Sequence, residues 1–82
     1  MKAQVEVLDC GFDDLAGKTY KDATLLCLEA DMSTFSDSDG NVIGMLSRSH
    51  IQFGAESLFV NATIVRGGNL EKIRLNVSNF GV

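Results

Sequence analysis

Leu58-Phe59-Val60-Asn61-Ala62-Thr63-Ile64-Val65 is the stretch that decides the fold class. Leu58, Val60, Ala62 and Ile64 recur at every second position, the period of a half-buried β-strand rather than of a helix. Gly67-Gly68-Asn69 follows, and glycine and asparagine accept the positive φ that a tight hairpin turn demands. The return run, Leu70 to Val77, sets Ile73, Leu75 and Val77 on one face and Lys72, Arg74 and Asn76 on the other. A β-hairpin is therefore predicted over 58–77.

The same period extends outward from it. Gln4 to Asp9 alternates, with Val5 and Val7 on one face, and Cys10 to Gly17 breaks the pattern with two glycines and two aspartates. Lys18 to about Asp31 reads as one long strand, with Leu25-Leu26-Cys27-Leu28 apolar on both faces as in a barrel wall. Ser33 to Asn41 is a loop by composition, and Asp39-Gly40 is its turn signal. A further strand is expected from Val42 to Ser47, and Arg48 to Glu56 is ambiguous between strand, loop and a short helical turn. No helix is predicted. Five strands in meander-like order would leave exposed edges unless they curl into a small closed or partly open barrel.

Eighty-two residues make one domain, spanning 1–82. So short a chain buries a modest core and draws stability from a partner, a metal or a disulfide more often than a large one does. Cys10 and Cys27 are too few for a disulfide scaffold and read as free thiols in a reducing cytoplasm, with one bridge between them as the alternative. No apolar run approaches the roughly 18 residues of a membrane span, and Met1-Lys2-Ala3-Gln4-Val5-Glu6 lacks the apolar block of a signal peptide. A soluble cytoplasmic protein is expected.

The net charge of −4 conceals an asymmetry. Residues 1–41 hold three lysines against nine carboxylates, a net of −6, whereas residues 42–82 hold four cations against two glutamates, a net of +2. An acidic chain disfavours a polyanionic partner, and the second half removes part of that objection.

Motifs for catalysis or metal binding are missing. Asp37-Ser38-Asp39-Gly40-Asn41 opens like a calcium loop, yet Val42 stands where glycine is needed and Arg48 where the bidentate glutamate is needed. His50 is the only histidine and has no nucleophile motif or second ligand nearby. Gly17-Lys18-Thr19 echoes the end of a phosphate loop, but Phe12 occupies the position of its first glycine. Neither an enzyme nor a cofactor is expected.

Gly17-Lys18-Thr19-Tyr20, followed by Leu26-Cys27-Leu28-Glu29 and by the hairpin over 57–77, resembles the single-stranded DNA-binding proteins of filamentous bacteriophages. The resemblance is collinear over most of the chain, with gaps at loops. It implies a small dimeric OB-like barrel that coats single-stranded DNA during phage or mobile-element replication. In that family a longer, arginine-bearing wing precedes the Gly-Lys-x-Tyr step. Here Gly11 to Ala16 is short and carries Asp13 and Asp14, so weaker and more salt-sensitive binding is expected.

Single strands are held by aromatic rings that stack on bases and by cations that track phosphates. Tyr20 and Phe53 are the candidate stacking residues, and Lys18, Lys21, Arg48, Arg66, Lys72 and Arg74 the candidate phosphate contacts. Phe12, Phe35, Phe59 and Phe80 read as packing residues. The expectation is an all-β, five-stranded OB-like barrel, forming a homodimer and binding single-stranded DNA without sequence preference. The rival reading is an acidic phage or plasmid protein that engages a protein partner through the carboxylates of its first half, as a DNA mimic would. A small-ligand barrel is a third reading.

Overall fold

A computed structural model of the chain describes residues 2–25, 32–54 and 56–81. They form six antiparallel strands: β1 (Lys2–Cys10), β2 (Thr19–Leu25), β3 (Met32–Ser36), β4 (Val42–Phe53), β5 (Ser57–Arg66) and β6 (Asn69–Gly81). Each strand pairs with the next, and β6 pairs with β1 to close the barrel. The all-β barrel is as the alternation of hydrophobic residues predicts. It has six strands where five were expected, and they run up and down in chain order.

The hairpin over 58–77 is the most regular part. Every residue of Ser57–Arg66 pairs with one of Asn69–Ser78, and Gly67 and Gly68 take φ of 55° and 85° in the two-residue turn. Positive φ at both positions matches the right-handed twist of the strands, which explains why glycines stand there. Leu58, Val60, Ala62 and Ile64 point inward against Ile73, Leu75 and Val77, and all seven are buried.

The additional strand comes from Met32–Ser36, where a loop was expected. Phe35 is completely buried and Ser33 nearly so, while Met32, Thr34 and Ser36 retain exposure. A period of two is present, and one aromatic ring in the core outweighs the turn-like composition around it. The loop proper is shorter. Asp37 Oδ1 accepts hydrogen bonds from the backbone N–H of Asp39 (3.0 Å) and Asn41 (2.9 Å), and Gly40 takes φ 85°. This is the solvated turn that Asp39-Gly40 predicts.

β2 is described from Thr19 to Leu25, and the remainder of the strand expected to about Asp31, with its Leu26-Cys27-Leu28 core reading, lies outside the described residues. β4 continues to Phe53 through the segment that was ambiguous. A bulge explains the ambiguity: Arg48 pairs with Ala62 and His50 with Asn61, so Ser49 is an extra residue that breaks the period. A second bulge adds Leu8 to β1 between Val7 and Asp9, so that both Leu8 and Asp9 face outward before Cys10 turns in.

Candidate nucleic-acid interface

The sequence-predicted residues fall into separate groups. Lys72 and Arg74 lie on the outer face of β6, both exposed, and Arg74 pairs with Asn61 while Lys72 pairs with Thr63. Directly paired residues of antiparallel strands project to the same side, about 4.5–5.5 Å apart at Cβ. A groove of about 520 Å³ crosses this surface, and Asp9, Asn61, Thr63, Lys72 and Arg74 contribute to its lining.

The outward positions of β5 and β6 hold Phe59, Asn61, Thr63 and Val65 beside Leu70, Lys72, Arg74 and Asn76. On β4 the neighbouring outward residues are Met45, Ser47 and Gln52. None of these is a carboxylate. Most of the described acidic residues lie on β1 (Glu6, Asp9), in the β1–β2 loop (Asp13, Asp14), on β2 (Asp22) and in the β3–β4 loop (Asp37, Asp39), while Glu56 precedes β5 and Glu71 is exposed on β6. The charge asymmetry between the two halves of the sequence thus carries over to the barrel only in part, because Asp9 pairs with Arg74 at the β1–β6 seam.

Phe59 was expected to pack. Instead it projects from the outer face with 37% of its surface exposed, directly across from Asn76 and one ladder step from Arg74. The signal that places it was present in the sequence: if Leu58 and Val60 face the core, the residue between them faces out. Asn76 is half-buried, and its Oδ1 has no hydrogen-bond partner among the described residues.

Tyr20 takes a different position. It pairs with the inward-facing Val5, is half-buried against the core, and meets Phe35 edge-to-face with ring centroids 5.4 Å apart. Burial pushes its phenol pKa up from the ordinary value. Lys18 and Lys21 flank it and are exposed. A bulge lies at Lys21-Asp22, which together oppose Gln4, and Asp22 takes φ 55°. These cations are separated from Lys72 and Arg74 by β1, on which Glu6 and Asp9 stand exposed.

Arg66 is engaged within the fold. Its Nη1 donates to Asp14 Oδ1 at 2.8 Å, and its guanidinium lies 5.0 Å from the Phe12 ring centroid. The bond to Arg66 lowers the Asp14 pKa, and the same bond raises that of Arg66. The segment from Gly11 to Gly17 is folded as a cap on the barrel. Leu15 is buried in it, Gly11 N–H donates to the Lys72 carbonyl at 3.0 Å, and Gly17 N–H donates to the Val7 carbonyl at 3.0 Å. Arg48 and Phe53 belong to β4, paired with Ala62 and Leu58, and their side chains lie outside what the structure describes.

Cys10 is a buried free thiol whose pKa is raised by burial, and among the described residues no cluster of histidine, cysteine and carboxylate groups could hold a metal ion. Among them, too, no helix is long and apolar enough to cross a membrane. No protein-family model, curated protein or solved structure matches the chain.

Proposed function

We propose that the protein binds single-stranded DNA without strong sequence preference, through the outer face of β4, β5 and β6. The observation that carries this reading is the groove on that face, lined by Lys72 and Arg74 beside Asn61 and Thr63. Of the eleven acidic residues in the chain, Asp9 is the one that lines it, and Glu71 is exposed on β6. Phosphate neutralisation dominates nucleic-acid affinity, and Asn, Ser and Thr side chains add hydrogen bonds to phosphate and sugar. Lys18 and Lys21 form a second group of cations beyond β1, where a bound strand would continue. Arg66, held by Asp14, contributes least while that bond is intact. A homodimer that coats DNA during replication of a phage or mobile element is the role that the motif resemblance suggests.

The test is a fluorescence titration with labelled oligo-dT at two salt concentrations. Lys72→Ala with Arg74→Ala removes two phosphate contacts, so the slope of log K against log salt should become shallower by about 1.4. No binding by the parent protein at low salt refutes the proposal.

One observation favours a second reading. The carboxylates gathered on β1, β2 and their loops form the kind of negative surface that a DNA-binding protein partner would recognise. Failure to bind DNA, together with capture of a basic DNA-binding enzyme through this side, would support it.

A further inference from the structure

The proposed face carries a single exposed aromatic ring among its described residues, and its position relative to the cations is specific. Phe59, Asn61 and Thr63 succeed one another on the outer side of β5, at roughly 6.6–6.8 Å intervals. Across from them on β6 stand Asn76, Arg74 and Lys72 in the same order. Phe59 and Arg74 are therefore diagonal neighbours, within about 7–8 Å. From Arg74 the groove continues past Lys72 towards Gly11.

A lone exposed aromatic is ordinary on a protein surface and by itself means nothing. Here the ring lies at the foot of a ladder of two cations, two hydrogen-bonding side chains and a groove. The groove beside it carries Lys72 and Arg74 against the single carboxylate of Asp9. That combination provides the two elements single-strand binding needs, an apolar plane for a base and charge for the backbone beside it. Charge complementarity selects a polyanion as occupant. The ring then selects a polyanion with exposed planar groups, which an unpaired strand has and a duplex does not.

We infer that Phe59 is the platform on which an unpaired base stacks, and that the adjoining sugar-phosphate backbone runs up the β5–β6 ladder past Arg74 and then Lys72. The inference rests on the single-strand reading and deepens it, because it assigns base contact to the outer wall of the barrel. Stacking on a ring face takes any base, which fits binding without sequence preference.

The experiment compares oligo-dT with an abasic deoxyribose-phosphate oligomer of the same length. The chain contains no tryptophan, so Phe59→Trp supplies a unique fluorophore at the proposed contact. Its emission should be quenched by oligo-dT and much less by the abasic strand. Phe59→Ala should weaken oligo-dT binding about 5- to 150-fold and leave abasic binding nearly unchanged, and Phe59→Tyr should restore it. Because the ring is exposed, each variant should fold, which circular dichroism verifies. If the parent protein binds oligo-dT but Phe59→Ala binds it equally well, the base platform is overturned and the DNA reading stands. If the parent binds neither oligomer at low salt, the DNA reading falls and this inference with it.

Discussion

Tyr20 and Phe35 should be energetically coupled, because their rings join β2 to β3, the strand pair with the fewest paired positions among the described residues. Among the described residues β2 and β3 are paired only at Thr24–Ser36 and Leu25–Phe35, whereas β5 and β6 are paired at ten positions. The edge-to-face contact between the two rings joins these strands where the backbone ladder is short. Phe35 is fully buried, so Phe35→Leu should cost about 1–2 kcal/mol through lost volume and imperfect repacking. Tyr20→Leu keeps a half-buried apolar group and should cost about 1 kcal/mol. An aromatic pair adds about 0.5–1.5 kcal/mol beyond area burial, and this is the coupling that a double-mutant cycle isolates. A domain of this size has roughly 4–12 kcal/mol in total, so all four proteins should remain folded. Urea denaturation at fixed pH gives the four free energies, and each kcal/mol should also lower Tm by about 4–8 °C. A coupling below about 0.3 kcal/mol, the ordinary error of additivity, would refute the idea that this contact holds the seam. Loss of oligo-dT binding in Tyr20→Leu at unchanged stability would go further and assign the ring to the DNA interface instead of the core.

Two other expectations follow from close contacts and from charge. A Cβ on Gly44 would lie 2.8 Å from both Cδ1 and Cγ1 of the fully buried Ile64, so Gly44→Ala should destabilise by about 1–3 kcal/mol, and adding Ile64→Val should recover part of the loss in thermal melts. Arg66 holds the Asp14 carboxyl below its ordinary value of 3.8. A depressed folded-state pKa favours folding above 3.8 and loses that contribution as pH falls through the folded value. Stability of the parent protein should therefore decline more steeply with acid than that of Asp14→Asn, and a common acid limb in urea titrations would contradict this.

The hairpin over 57–78 was legible because its alternation is uninterrupted and its turn is spelled by two glycines. The same alternation contained the position of Phe59, although hydrophobicity alone argued for the core. β3 was obscured because Ser33, Ser36 and the aspartates after it have turn-like composition, and only the burial of Phe35 makes the segment a strand. The continuity of β4 was hidden by the extra residue at Ser49, since a bulge shifts the period that sequence reading depends on. At the interface, the cations could be enumerated but not grouped. That Arg66 is held by Asp14, fifty-two positions away, and that Glu6 and Asp9 stand between two sets of cations, are consequences of which strands become neighbours.

The pairing of β1 with β6 also concentrates the conformational cost of the fold. Every other strand pair is joined by a short connection, so its ends meet at little entropic expense. Lys2 and Gly81 are instead brought together from opposite ends of the described chain. Closing a loop of that length costs about 4 kcal/mol in chain entropy, from the logarithmic dependence on length. The meander is local in sequence, and the step that turns a curved sheet into a barrel is not. A mutation in the β1–β6 seam should thus act on closure of the whole ring, with effects reaching strands that the altered residue never touches.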